Sequence, residues 1–326
     1  MGMRNTFKIL LLSTVLYDDH NTLAWIQPPF FTTQKIFAES KALKCVKSAS
    51  SHSVNGIICR EVTIDINAVG PITILEATAD SQDHLVDMAL LLEEEEFDGT
   101  NQLQVGDPYG TVLWPAAYSI SNYLLDNCSS TFSMDREEKI ENLLPLAGIS
   151  ILELGTGTGL ISLAASIGGA SRVIATDYEQ LPLEILDYAQ KNLNEGLTPI
   201  ELVNLNICDS KTLLPPADIV VAADIMYEPS TGRAMAQRAF EALQRGSRVL
   251  VGDSPGRPGR AAFLEELERL GIQNAVFYDT VGQTCSGPRH DLICGKESSS
   301  VSTTPKALSV AIMDLLPEYN LCQSTI

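Results

Sequence analysis

The sequence is poor in residues that bind metal ions or form disulfide frameworks. It contains seven cysteines and four histidines among 326 residues. The cysteines are odd in number and scattered without a C-x-x-C pair, and the histidines are too far apart for metal-ligand spacing. These absences argue against a disulfide scaffold and a zinc site. We therefore expect no bound metal and a reducing compartment.

Basic residues are also scarce. Lysine and arginine number 22 against 41 aspartates and glutamates, the net charge is -19 at pH 7, and no stretch is rich in lysine or arginine. Because nucleic-acid binders need a concentrated basic surface, this composition argues against a nucleic-acid partner. The acidity either favours basic partners or simply keeps the protein soluble.

Long hydrophobic runs are missing as well, so no membrane span is expected. The apolar run at residues 9–16 is far too short for a transmembrane helix and resembles the core of a signal sequence. Residues 25–54 are rich in serine, threonine, lysine and alanine and contain one acidic residue, Glu39. This bias is typical of a transit peptide. We predict that residues 1–56 are either an organelle presequence (plastid or mitochondrial) or a disordered tail of a cytoplasmic protein.

What the sequence does contain, from residue 57 onward, is alternating strands and helices. The first two strands, at residues 60–66 and 72–75, predict a hairpin extension. Apolar runs then predict strands at 150–154, 172–176, 202–207, 218–223 and 248–251, separated by helices at 160–167, 182–193, 232–243 and 261–270. This alternation predicts an α/β fold with a Rossmann-like seven-strand sheet and helices on both faces.

The end of the domain is predicted from weaker patterns. Two closing strands are expected at residues 275–278 and 292–294. The main domain is therefore placed at residues 57–296. Residues 297–326 are rich in serine and threonine and predict a loose tail, with a short helix near residues 307–316.

The strongest motif is Glu153-Leu154-Gly155-Thr156-Gly157-Thr158-Gly159, between a strand and a helix. Glycines at this place let the backbone turn sharply and approach a ligand closely. A dinucleotide fingerprint, G-x-G-x-x-G, would need glycine at position 160, which is Leu160. The third glycine comes one residue early and an acid precedes the first, which is the pattern for S-adenosylmethionine. We predict that this cofactor is bound by Glu153, Gly155, Thr156, Gly157 and Gly159.

Two acidic residues follow the next two strands. Asp177 lies 22 residues after Gly155, where a carboxylate accepts hydrogen bonds from the ribose hydroxyls of the cofactor. Capping of the following helix is the alternative. Asp209 follows the third strand of the core, where it either contacts the adenine amino group or caps a turn.

The fourth strand of the core ends in Ala222-Ala223-Asp224-Ile225-Met226-Tyr227. Ligands of open α/β sheets bind beyond the carboxyl ends of the strands. We therefore predict that Ala223 contacts the cofactor and that Asp224 and Tyr227 are catalytic residues near the methyl donor, the alternative being that both are structural. Methylases acting on bases or glutamine commonly carry N/D-P-P-Y here, so the missing prolines count against nucleic acid.

These residues give the chain a resemblance to the seven-strand protein lysine methyltransferases of family 16, over roughly residues 57–296. The sequence from Asp224 to Tyr227 fits the D-x-x-Y motif of that family, and the segment from Gly110 to Ala117 resembles its W-P-A/G segment. The resemblance implies an adenosyl pocket that includes Trp114, although core packing is another interpretation of this tryptophan. It also implies a substrate-lysine site near Asp224 and Tyr227.

The implied reaction is methyl transfer from S-adenosylmethionine to a neutral lysine amine of a protein substrate. Asp224 would capture and orient the amine, and Tyr227 would shape its channel or hydrogen-bond it. Two alternatives stay open: a small-molecule N-methyltransferase with the same cofactor, and a non-catalytic module that binds the cofactor and a partner. We expect a monomer whose partner is the protein that carries the target lysine.

Overall fold

A computed structural model describes residues 50–96, 109–128, 144–273, 275–283 and 307–317. Residues 1–49 of the segment predicted as a presequence or disordered tail lie outside the described residues, as does the strand predicted at 292–294. The last residues of that segment are described and include a strand at Ser51–Val54. None of the helices in the described ranges is long and apolar enough to cross a membrane.

A three-stranded antiparallel sheet precedes the main domain. It consists of β1 (Ser51–Val54), β2 (Ile57–Ile66) and β3 (Gly70–Ala77), in that order. Asn55 and Gly56 connect β1 and β2 with positive φ angles, as a two-residue hairpin turn requires. The predicted hairpin is β2–β3, and its alternate isoleucines point into the core. Helix α1 (Ala79–Glu96) follows.

The main domain is built on a seven-stranded sheet in the order β6-β5-β4-β7-β8-β10-β9. Its strands are β4 (Ser150–Leu154), β5 (Arg172–Asp177), β6 (Ile200–Asn204), β7 (Ile219–Ala223), β8 (Arg248–Asp253), β9 (Tyr278–Gln283) and β10 (Ala307–Leu315). Its helices are α2 (Pro115–Asn127), α3 (Leu160–Ile167), α4 (Gln180–Asn192), α5 (Pro229–Gln244) and α6 (Gly259–Arg269). The predicted Rossmann-like sheet is confirmed.

Helices cover both faces of this sheet because adjacent residues of its strands point to opposite sides. Ile151 of β4 packs in a core with residues of α2, α3 and α4. Its neighbour Leu152 packs in a second core with residues of α5 and α6. Strands buried on both faces read as continuous apolar runs, which is why the sequence predicts them well.

Strand order determines where a ligand can bind. The chain runs from β4 outward through β5 to β6, then returns to the other side of β4 at β7. Strands β4, β5, β6, β7 and β8 are parallel, so their carboxyl ends meet at one edge of the sheet. In open α/β sheets the reversal of strand order opens a crevice at that edge. The glycine loop after β4 lies at this reversal.

The end of the fold differs from the sequence prediction. Residues 307–315 form β10, which pairs antiparallel with both β8 and β9, so the helix predicted near 307–316 is wrong. The segment is rich in alanine, leucine and methionine, which favour helices, but two neighbouring strands satisfy its backbone hydrogen bonds. This strand lies beyond the predicted domain end at residue 296. The other closing strand starts at Tyr278, where the predicted one at 275–278 ends.

Candidate active site

The glycine loop after β4 adopts backbone angles that are unfavourable for residues with a side chain. Gly155, Gly157 and Gly159 have φ angles of 69°, 51° and 77°. A Cβ on Gly155 would lie 2.6 Å from Ile225 Cγ2, and one on Gly159 would lie 2.4 Å from Leu186 Cδ1. Glycine is therefore needed here both for conformation and for space. Helix α3 begins at Leu160, directly after the loop.

Glu153 lies beneath the loop. Its Oε2 accepts hydrogen bonds from Thr156 Oγ1 (2.8 Å), from the Ser162 backbone N–H (3.1 Å) and from the Ser162 hydroxyl. Burial raises the pKa of this carboxyl to about 7, although the same hydrogen bonds oppose the rise. Glu153 thus ties the two ends of the loop together, and Thr156 donates its hydroxyl hydrogen bond inward to this carboxylate.

Asp177 joins the glycine loop to the end of the neighbouring strand β5. The Gly157 N–H donates to its Oδ2 at 3.2 Å, and the Glu179 N–H donates to its Oδ1 at 3.1 Å. Leu154 and Thr176 are paired in parallel strands, which brings the two strand ends side by side. The structure therefore brings together the two features from which the sequence predicts an adenosyl pocket.

Asp209 has a local role in the described structure. Its carboxylate accepts hydrogen bonds from Thr212 Oγ1 (2.8 Å) and from the Lys211 N–H (3.1 Å). The Thr212 hydroxyl, followed by the Lys211 amide, lowers the pKa of this exposed carboxyl. Its backbone carbonyl accepts a hydrogen bond from Arg238. Of the two interpretations of Asp209, the turn cap is the one visible in these contacts.

Asp224 lies just beyond β7, where Ala223 pairs with Gly252 of β8. Its φ of 57° is uncommon outside glycine, and aspartate is one of the few residues that tolerate it. Oδ2 accepts a hydrogen bond from the Ala116 N–H (2.9 Å) and Oδ1 accepts one from the Ser254 N–H (2.7 Å). The side chain has no exposed surface. Asp224 is thus enclosed by backbone donors, and its predicted contact with the substrate amine stays a prediction.

Trp114 precedes α2, whose first residue is Pro115, and its indole contacts come from two loops. The indole Nε1–H donates to the Tyr109 carbonyl oxygen at 3.1 Å, and the two rings meet edge to face at 6.5 Å. The Arg257 guanidinium lies over the indole, 4.4 Å from the ring centroid. Trp114 is half-buried, so it is not a core residue but part of the rim at the strand ends.

Tyr227 is the open residue of the D-x-x-Y motif, with 37% of its surface exposed. The backbone on its N-terminal side is fixed, because the Gly259 N–H donates to the Met226 carbonyl oxygen at 3.1 Å. On the other side the Glu228 N–H donates to Thr231 Oγ1 at 3.2 Å, at the start of α5. A rigid backbone therefore presents an accessible tyrosine at the end of β7.

The sequence reasoning missed the loop after β8 as a source of functional side chains. The Ser254 backbone N–H donates to Asp224 Oδ1 at 2.7 Å, and the Arg257 side chain approaches the same oxygen with its Nε 3.6 Å away. Arg260, in the first turn of α6, pairs with Asp253 at 2.6 Å. A usable signal existed, since β8 is parallel to β7 and its carboxyl end must open at the same edge.

Comparison with known proteins agrees with these features. The family model described as lysine methyltransferase matches residues 97–270, more than half of the chain. The electron transfer flavoprotein beta subunit lysine methyltransferase of Rattus norvegicus is 31% identical over 155 residues, which cover 47% of this chain and 52% of that protein. Its counterpart in Danio rerio is 28% identical over 193 residues, covering 55% and 64%.

A third relative carries a different name. The histone-arginine methyltransferase METTL23 of Mus musculus is 27% identical over 145 residues, which cover 43% of this chain and 51% of that protein. The chain thus spans about half to just under two thirds of the length of these curated relatives. The match of the family model to more than half of the chain confirms the family predicted from the sequence, and the chain belongs to the lysine methyltransferase family.

Proposed function

We propose that this protein transfers a methyl group from S-adenosylmethionine to a lysine side chain of a protein substrate. The observation that carries the proposal is the hydrogen bond between the Gly157 N–H and Asp177 Oδ2. This hydrogen bond joins a glycine loop, whose spacing differs from that of the dinucleotide fingerprint, to a carboxylate at the end of the neighbouring strand. Membership of the lysine methyltransferase family favours the same reaction.

The residues present fit the cofactor. The loop from Gly155 to Gly159 offers backbone groups with no side chain in the way, and the Asp177 carboxylate is a suitable acceptor for two ribose hydroxyls. Trp114 offers an aromatic wall, and Ala223 a small side chain at the strand end. The adenine contact of Asp209 stays a prediction. When bound, S-adenosylmethionine supplies an electrophilic methyl group on a sulfonium.

We assign Asp224 a positioning role and Tyr227 the role of the catalytic residue that contacts the amine. Asp224 has no exposed side-chain surface and holds the first turn of α2 and the loop after β8 in one place. Tyr227 is exposed and carries a hydroxyl that can hydrogen-bond an amine. The chain supplies alignment and exclusion of water, which suffice to accelerate a direct displacement strongly.

The test uses the full chain, because no part of it has been shown to fold alone. The purified protein is incubated with S-adenosylmethionine carrying a radiolabelled methyl group and with cell lysate, and the products are separated by gel. We expect a discrete labelled protein, absent with Asp177→Ala, and methyl-lysine after its hydrolysis. Label confined to small molecules would contradict a protein substrate, and label on arginine would contradict lysine. Binding of the cofactor without any label would instead favour the non-catalytic module.

We further propose that the protein works in an organelle, either plastid or mitochondrion. The observation behind the location is the near absence of acidic residues in residues 25–54 of an otherwise acidic chain. Fusion of residues 1–56 to a fluorescent protein tests it, with the same segment carrying additional acidic residues as the control. Diffuse cytoplasmic fluorescence of the unmodified fusion would contradict the proposal.

A further inference from the structure

Four charged side chains meet at the carboxyl ends of β7 and β8. Asp224 and Asp253 are the two acids, and neither side chain has exposed surface. Arg257 Nε lies 3.6 Å from Asp224 Oδ1, and Arg260 Nε lies 2.6 Å from Asp253 Oδ2. Ionised acids as buried as these are stable only when cations compensate them. When both acids are ionised, the cluster contains two negative and two positive charges.

Arg257 differs from Arg260 in where its cation lies. Arg260 also donates to the backbone carbonyls of Asp253 (2.9 Å) and Ser254 (3.1 Å), which fixes it to the strand end. Its guanidinium lies 4.8 Å from the Phe277 ring centroid, and 28% of its side chain is exposed. The Arg257 guanidinium stacks on a different ring, the Trp114 indole, and 17% of its side chain is exposed. Arg257 therefore extends from the enclosed Asp224 to the rim on which the proposed acceptor site lies.

The cluster also has unused hydrogen-bonding capacity. Asp253 Oδ1 and Ser254 Oγ are buried and have no hydrogen-bond partner among the described residues. Burial raises the pKa of Asp253 to about 7, with Arg260 opposing the rise and Asp224 adding to it. Buried polar atoms without partners are uncommon in native structures, and strain, a catalytic role or an ordered water or ion accounts for them.

Methyl transfer requires the lysine amine without its proton, because the protonated amine has no lone pair. A nearby carboxylate stabilises the ammonium form, whereas a nearby cation stabilises the neutral form. Asp224 alone would therefore hold the target lysine in the unreactive state. A cation that offsets this carboxylate cancels that effect, so the amine releases its proton to solvent at a lower pH.

We infer that Arg257 is a positioning residue that neutralises Asp224 and so keeps the target amine of the substrate uncharged. The inference rests on the proposed function, because it concerns the acceptor of the same reaction. Arg257 also supports the Trp114 indole, so loss of packing and loss of charge must be separated. Among the described residues, the charged groups around Arg257 are Asp224, which it pairs with, Asp253, on which its charge acts, and Arg260, which pairs with Asp253.

The experiment compares the pH dependence of kcat/KM for lysine methylation in the full-length wild type and Arg257→Gln. We expect the rising limb of the profile to move upward by about one pH unit, so that activity falls about tenfold near pH 7 and recovers at alkaline pH. Arg257→Lys, which keeps the charge, should retain the wild-type midpoint even where kcat is lower. Arg269→Gln removes an exposed arginine at the end of α6, the helix that follows the Arg257 loop, and is the matched control.

A second genetic background and a set of contrary outcomes complete the test. The comparison with and without Arg257→Gln is repeated in an Asp253→Asn background, in which Asp253 can no longer titrate near pH 7. The upward shift of the pH midpoint caused by Arg257→Gln must persist in this background. If Arg257→Gln and Arg257→Lys share the wild-type midpoint, or shift it equally, the inference is overturned. If Arg257→Gln does not fold, a shifted midpoint in Arg257→Lys alone overturns it. Absence of lysine methylation by the wild type overturns both this inference and the proposed function, whereas normal methylation with unshifted profiles overturns the inference alone.

Discussion

Asp224 Oδ2 accepts a hydrogen bond from the backbone N–H of Ala116, a residue 108 positions earlier in the chain. The same carboxylate accepts the Ser254 N–H through its other oxygen. One side chain thus fixes the first turn of α2 and the loop after β8 against the end of β7. Trp114 and Arg257 lie close in the chain to these two donors, and they contact each other at the rim.

Replacing Asp224 tests the junction. Asp224→Ala should lower the free energy of unfolding by about 2–4 kcal/mol, because two buried N–H groups lose their acceptor and alanine tolerates a positive φ less well than aspartate does. Asp224→Asn keeps one acceptor oxygen and tolerates the backbone, so its loss should be about half as large. Urea unfolding measures both. Equal stability of the two variants would show that the carboxylate does not organise the two loops.

Glu153 makes stability depend on pH. A folded-state pKa of about 7, against an ordinary value of 4.5, means that the folded protein holds a proton that the unfolded chain releases. The wild type should therefore lose up to about 3 kcal/mol of stability as pH rises from 4.5 through 7, and the loss should be complete above pH 7.

Glu153→Gln removes this dependence, because the amide oxygen accepts hydrogen bonds without a charge. We expect the variant to be more stable than the wild type above pH 7 and close to it near pH 4.5. Thermal unfolding at both pH values provides the measurement. Taking the difference between the two proteins cancels the contribution of Asp253, whose pKa is also about 7. A difference that stays constant with pH would contradict the explanation.

Gly159 and Gly196 form a matched pair for testing the glycine loop. Both have positive φ, at 77° and 71°, but an added Cβ would strike Leu186 only at Gly159. Each change to alanine should cost about 1–2 kcal/mol for the backbone, with about 1–3 kcal/mol more at Gly159 for the clash. Gly159→Ala should also weaken binding of S-adenosylhomocysteine in calorimetry, whereas Gly196→Ala should not. If both variants affected binding equally, the glycine loop would not be part of the cofactor site.

Asp314 tests whether β10 belongs to the folded core. It binds the buried Arg248 of β8, with Nε to Oδ1 at 2.8 Å, and accepts a hydrogen bond from Tyr123. These contacts raise the pKa of Arg248, and burial with Asp314 raises that of Tyr123 to about 12.

Asp314→Ala should lower the free energy of unfolding by about 3 kcal/mol, because it leaves a buried guanidinium without its partner. The control is Asp187→Ala, which removes a surface pair with Lys191 and should change stability by less than about 1 kcal/mol. Chemical denaturation compares the two. Similar small effects would mean that residues 307–315 do not pair with β8 in solution.

Local signals in the sequence were sufficient to predict much of the fold and part of the candidate site. Strands such as β4 and β7 are apolar runs buried on both faces, so their sequence identifies them without knowledge of their partners. Three glycines at alternate positions specify the loop, since each has a positive φ. Asp177 was predictable because parallel strands one crossover apart end at the same edge.

Other features depended on contacts that no local pattern contains. Residues 307–315 have the composition of a helix but become a strand because β8 and β9 leave a place between them. The sequence could mark Asp224 as a strand-end acid but not its enclosure by Ala116 and Ser254.

The sequence by itself thus determined the α/β alternation, the glycine turn and the acids at the strand ends, because each follows from residues near in the chain. Only the tertiary structure decided which strand completes the sheet and which cation meets Asp224. Several strands and several cations are acceptable on local grounds, and contacts between distant segments select among them. The arrangement that forms is the one in which buried backbone groups have hydrogen-bond partners and buried charges are compensated.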